Sequence, residues 1–138
     1  MYKREVHDYA QQIKRNVEKR VRQNGKKHAK QWDYPACASL CYGRRLGSYV
    51  KGYSHSPEGT TWHSILKLRM KQLGSIGKST RYSNNILGYC AEQHSGNNYM
   101  KRAHETDLAN LNFSPTVRPR TGQVIKPCKN CKNIFPNL

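Results

Sequence analysis

Acidic side chains are scarce in this sequence. Eight Asp and Glu stand against 25 Lys and Arg, a formal net charge of +17 at pH 7. Such an imbalance opposes folding by self-repulsion and favours a polyanionic partner: nucleic acid, an anionic membrane or an acidic protein. Long apolar runs are missing as well. None approaches the roughly 20 residues of a membrane span, and the basic N-terminus is not followed by the apolar core of a secretory signal. Nucleic acid is therefore the expected partner, with no membrane involved. The apolar fraction is only 36%, low for a globular protein. A modest core is expected, in one domain, since 138 residues are too few for two α/β domains. A monomer is expected.

The five cysteines are an odd number, and without a secretory signal a disulfide framework is not expected. Cys128-Lys129-Asn130-Cys131 has the spacing of half a metal site. The competing reading, a redox Cys-x-x-Cys, needs a thioredoxin-like unit for which seven further residues leave no room.

Residues 3 to about 30 carry Val6, Tyr9, Ile13, Val17 and Val21 at helical steps, with Gly25 weakening or ending the regular part. Lys26, Lys27, His28 and Lys30 follow as a basic segment, so residues 1–34 form an N-terminal helix and basic tail and 35–138 the core. Ala36 to Tyr42 and Ser48 to Tyr53 read as strands joined by the hairpin loop Gly43-Arg44-Arg45-Leu46-Gly47. Residues 54–61 are a loop. His63 to Leu73 is a short amphipathic helix stopped by Gly74. Residues 74–87 are polar and read as a surface loop, and Cys90 to about His104 as a helix. Phe113 to Val117 is a strand in which Pro115 calls for an edge or a bulge. Pro127 fits the first turn of a last short helix. This order of elements indicates an α/β layered domain.

A hydrolytic zinc site needs three protein ligands, a free position for water and a carboxylate near the metal but not on it. Cys128 and Cys131 supply two thiolates. Cys90 can supply the third, and Cys90-Ala91-Glu92 sets a carboxylate two residues on. Residues two apart on a regular helix point away from each other. Cys90 must therefore sit just before the helix, where the macrodipole also favours a thiolate. Cys37 and Cys41 offer a rival set, a structural zinc knot with Cys128 and Cys131. Residues four apart in a strand lie far from each other, so these two read as core side chains on one face of the sheet.

Cys90-Ala91-Glu92 followed by Pro127-Cys128-x-x-Cys131 resembles the signature of the cytidine deaminase superfamily, whose zinc is held by His/Cys/Cys or three Cys. More narrowly, Gly88-Tyr89-Cys90-Ala91-Glu92, Thr116-Val117-Arg118 and Pro127 to Cys131 resemble the deaminase domains at the C-terminal tips of bacterial polymorphic toxins. The resemblance implies a three-layer α/β domain of cytidine-deaminase type, with a central mixed sheet flanked by helices. It implies Zn2+ on Cys90, Cys128 and Cys131, with Glu92 moving protons, and Ala91 and Pro127 as structural members of the motifs. It further implies a secreted effector acting in the cytoplasm of a target cell, cut from a larger parent at Met1, and an acidic immunity protein as partner.

The substrate is less constrained. Basic residues interleaved with Tyr42, Tyr49, Tyr53, Tyr82, Tyr89 and Tyr99 suit phosphate contact plus base stacking. In the superfamily the loop after the second strand lines the pocket, which here brings forward Tyr53, Ser54 and His55. Asn84 and Asn85 read as a plain polar loop before a sugar or phosphate contact. Arg44 and Arg45 on the hairpin tip, and Arg118 and Arg120, are placed for phosphates. The expected activity is conversion of cytosine to uracil in DNA, favoured over RNA. RNA, a free nucleoside, or a non-catalytic zinc-bearing nucleic-acid-binding module remain as alternatives.

Overall fold

The computed structural model describes residues 1–138. Helix α1 (Lys3–Gln23) leads through a 3-10 turn to strands β1 (Ala38–Tyr42) and β2 (Val50–Tyr53). Helix α2 (Ser64–Leu73), the hairpin β3 (Ser79–Thr80) and β4 (Ser83–Ile86), and helix α3 (Ala91–Ala103) follow. The chain closes with β5 (Asn112–Phe113), β6 (Thr116–Val117), β7 (Val124–Ile125) and α4 (Lys129–Ile134). The main sheet runs β2-β1-β6-β7, with β5 also on β1. Every pairing is antiparallel, so the parallel pair that a mixed sheet requires is not formed.

Strand β1 is the spine of the sheet, and its alternation assigns the two faces. Ala38 and Leu40 pack with Val6 and Ala10 of α1 and with Val117. Cys41 belongs to the larger core on the opposite face, with Val50, Leu66, Met70, Tyr99, Met100 and Phe135. Covered on both sides, Ala38 to Cys41 are fully buried, as a central strand requires. Helix α1 is thus an integral outer layer, and its buried positions Val6, Ala10, Val17 and Val21 form one stripe.

That helix ends at Gln23 rather than near residue 30, because Gly25 takes a φ of +80°, a left-handed conformation that suits glycine. The basic run from Lys26 lies outside it. Pro115 interrupts the strand expected over 113–117. Ser114 bridges the gap: its N–H donates to the Leu40 carbonyl and its Oγ accepts from the Leu40 N–H, both at 2.9 Å. A side-chain oxygen thereby continues the ladder where proline cannot donate. Residues 79–86 form a hairpin instead of a loop. It lacks an apolar alternation because it is held by polar bonds, including Asn130 Nδ2 to the Asn85 carbonyl at 3.0 Å and Thr80 Oγ1 to Asn130 Oδ1. Pro127 precedes the last helix by two residues; Cys128 is the capping position. The backbone before that cap is extended, which suits proline equally well.

The third helix has little apolar periodicity because it has almost no free side. Residues 91 to 97 are all buried, among them Glu92, Gln93, His94, Ser95 and Asn97. Burying polar groups is costly unless each is bonded, and each is. Asn97 Oδ1 accepts from the His63 N–H and its Nδ2 donates to the Thr61 carbonyl. Ser95 donates to the Glu92 carbonyl. Where α3 meets the sheet, Gly52 lies against the Ser95 backbone.

Candidate metal centre and its cleft

Cys90 caps α3 and Cys128 caps α4, both with extended backbone just before the helix. Cys131 lies one turn into α4 and is fully buried. The two helix starts thus converge, and the three sulfurs lie within 4.8 Å of one another. The Cys90–Cys128 separation is 3.4 Å and the Cys128–Cys131 separation 3.7 Å. No fourth His, Cys, Asp or Glu joins the group. Hydrogen bonding with Cys131 and then Cys90 holds the Cys128 thiol far below its ordinary pKa. The same bonds push Cys131 and Cys90 up. Three thiolates at this spacing repel each other, so only a bound cation can hold all three ionised. The cluster can therefore hold a metal ion.

The surrounding residues orient these ligands. Gln93 donates from Nε2 to Cys131 Sγ at 3.3 Å and accepts the Gly88 N–H on Oε1 at 2.5 Å. Outer contacts of this kind fix ligand sulfurs in place. The Glu92 carboxylate is 4% exposed and accepts a hydrogen bond from Thr116 Oγ1 at 2.9 Å. Burial pushes its pKa above the ordinary carboxylate range, against the lowering effect of the Thr116 hydroxyl.

Both motifs open on one cleft of about 520 Å³. Its walls include Cys90, Ala91, Glu92 and Cys128, with Ser54 and Arg118. The structure thus brings together seven of the expected residues, counting the buried Cys131 behind the wall. Asn84, Asn85, Tyr89 and Lys126 line it as well. Tyr53, His55, Arg44 and Arg45 do not. The His55 ring stacks on His94, with centroids 3.6 Å apart, and Tyr53 leans on His55 at 4.9 Å. Of the residues expected from this stretch only Ser54 faces the cleft, while the Tyr53 and His55 rings cover the side of α3. Arg44 and Arg45 lie in the β1–β2 turn, and Arg45 pairs with buried Glu105 at 3.5 Å. That carboxylate also accepts the N–H groups of Thr106 and Asp107, so the Arg45 charge is committed to the fold.

Cys41 is a core side chain as expected, but Cys37 is not. It precedes β1 and lines the cleft. Burial, and then the Glu92 charge, push its thiol up to about 11, so it stays protonated. Neither residue joins the sulfur cluster, and the four-cysteine knot does not form. Thr116 and Gln93 are the residues whose roles sequence reasoning passed over, and Cys37 is the one it assigned to the core. Thr116 and Gln93 each stood in or beside a motif, but pairing them with Glu92 and Cys131 requires the fold. Comparison with protein-family models, curated protein sequences and solved structures gives no match to this chain.

Proposed function

We propose that this protein is a zinc-dependent hydrolytic deaminase that converts cytosine to uracil in nucleic acid, with DNA as the first candidate. One observation carries the reading: a buried carboxylate, Glu92, shares a cleft with a three-cysteine cluster that no fourth His, Cys, Asp or Glu joins. Three ligands and a remaining position distinguish a catalytic zinc site from a closed structural one. Zinc with sulfur bonds of about 2.3 Å in a tetrahedron spaces its sulfurs about 3.8 Å apart. Two of the three separations, 3.4 and 3.7 Å, lie close to that spacing and the third is within 4.8 Å. The positive charge and the basic side chains Arg118 and Lys126 at the cleft support a polyanionic substrate.

In this reading Cys90, Cys128 and Cys131 would hold the zinc, which would make water acidic enough to act as a nucleophile near neutral pH. The chain's own residues do the rest. Glu92 carries the first proton of the attacking water to the ring nitrogen and then the second, from the hydroxyl now on C4, to the amino group, which departs as ammonia. A C–O bond forms at C4 and the C–N bond breaks. Its raised pKa keeps the carboxyl able to exchange protons, and Thr116 fixes the oxygen that accepts the hydroxyl bond. A toxin effector role and an acidic inhibitory partner are part of the same proposal, on the motif resemblance alone.

The test is sequencing-based detection of uracil in single-stranded DNA, duplex DNA and RNA, with wild type beside Glu92→Ala. Cytosine conversion by wild type only is the expected result. Silence on every polymer and on free nucleosides, with zinc bound, would leave a non-catalytic binding module instead.

A further inference from the structure

A second cleft, of about 400 Å³, adjoins the first and shares Ala36 and Arg118 with it. Its walls include Trp32, Tyr34, Pro35, Ala36, Arg118 and Arg120. Trp32 is 80% exposed, in a chain with only two Trp and two Phe. The indole is not on a loose segment. Lys30 N donates to Asp33 Oδ2 at 2.7 Å across its 3-10 turn, and Tyr34 Oη donates to Glu18 of α1 at 2.9 Å. The arginines are likewise presented by a fixed turn, in which the Arg118 N–H donates to the Gln123 carbonyl at 2.8 Å and its carbonyl accepts from Gly122 at 2.7 Å. Arg45–Glu105 is the protein's one ion pair, so neither Arg118 nor Arg120 is neutralised by a carboxylate.

We infer that this second cleft binds the nucleotide next to the target base, stacking its base on Trp32 and holding its phosphate with Arg118 and Arg120, and that the substrate is a single strand. An exposed aromatic beside unpaired guanidiniums is the pairing that grips single strands, since every base has a face to stack. A base in an intact duplex is already stacked on its neighbours and is not free to use the indole. The volume suits one nucleotide. The assignment shares its substrate class with the deaminase reading but rests on binding, which is measured separately.

The experiment is fluorescence anisotropy of an end-labelled single-stranded oligodeoxynucleotide, its RNA counterpart and the blunt DNA duplex. Wild type, Trp32→Ala, Trp32→Phe and Arg120→Ala are compared over a range of salt. Trp32→Ala is expected to weaken single-strand binding about 5- to 100-fold, and Trp32→Phe to recover most of that. Arg120→Ala should flatten the log–log salt slope by about 0.7. The duplex should bind more weakly and ignore Trp32. The tighter of the DNA and RNA arms names the polymer. Single-strand binding unchanged in Trp32→Ala, or a duplex bound as tightly as the single strand, overturns the inference. Trp32-dependent binding without any deamination would leave this subsite standing and remove the enzyme reading. Deamination with no Trp32 effect would do the reverse.

Discussion

Gly52→Ala tests whether the contact between sheet and helix sets the metal centre. Gly52 faces α3, and a Cβ built there would lie 2.2 Å from Ser95 N, 2.5 Å from its Cα and 2.7 Å from its Cβ. Two of those atoms are helix backbone, so no side-chain rotation relieves the clash. Ordinary contact begins near 3.5 Å, so α3 must retreat by roughly 1 Å. Overpacking of this kind costs about 1–3 kcal/mol, a Tm loss of about 3–12 °C for a chain of this size. The added methyl should not offset it, since removing glycine from the unfolded chain returns only about 0.4–1 kcal/mol. The displacement also carries Cys90 and Glu92 with α3 while Cys128 and Cys131 stay on α4. Zinc affinity, read by competition with a chromogenic chelator, should fall about 10- to 100-fold, as when ligand support is lost. A Tm within roughly 1 °C of wild type with unchanged zinc affinity would refute the idea that this contact sets the site.

Three further outcomes follow from the same geometry. A bound metal ties Cys90 to Cys128 across 38 residues; by the chain-entropy account of a cross-link of that length, chelation should cost up to about 4 kcal/mol, and apo protein melting with the holo protein would argue against a metal there. On the proposed deaminase reading, Glu92→Gln should lower kcat by about 10²–10⁴-fold with zinc stoichiometry intact, whereas loss of zinc would recast Glu92 as a ligand. Burial, and then His55, hold the His94 pKa down to about 4 from 6.5. The folded state keeps the imidazole neutral while the unfolded chain protonates it. Stability should therefore be full above about pH 6.5 and fall towards pH 4, by up to ~1.4 kcal/mol per unit. Equilibrium urea unfolding across that range should show the slope in wild type and a shallower one in His94→Gln; equal slopes would acquit His94.

Much of the frame is legible in the sequence because it rests on local rules. The stripe of Val6, Val17 and Val21, the alternation in Ala38 to Cys41, and the glycine after α1 each act through their own neighbours. The convergence of Cys90 with Cys128 and Cys131 is legible for another reason, since the Cys-x-x-Cys spacing supplies half a metal site and the Cys90-Ala91-Glu92 motif supplies its complement. Polar support is where reading fails. The β3–β4 hairpin has no apolar signal, and its bonds to Asn130 come from a helix 45 residues away. His55 faces His94 instead of the cleft, a choice made by tertiary packing. Arg45 is held by Glu105, sixty residues on in the chain. Cys37 shares the parity of Cys41 but precedes the strand, so parity does not assign its face.

Helix α3 has a consequence for how this protein can change. From Ala91 to Asn97 each side chain is buried and each polar one is already bonded. A single substitution there disturbs a neighbour that cannot adjust alone, so variation in the segment should be rare or come in compensating pairs. On the proposed reading, the freedom to alter what is gripped lies in the surrounding chain: the turn bearing Trp32, the β3–β4 hairpin, and the segment from Arg118 to Lys126. Directed libraries confined to those three stretches should shift substrate preference without loss of fold, while libraries on α3 should yield chiefly unfolded chains.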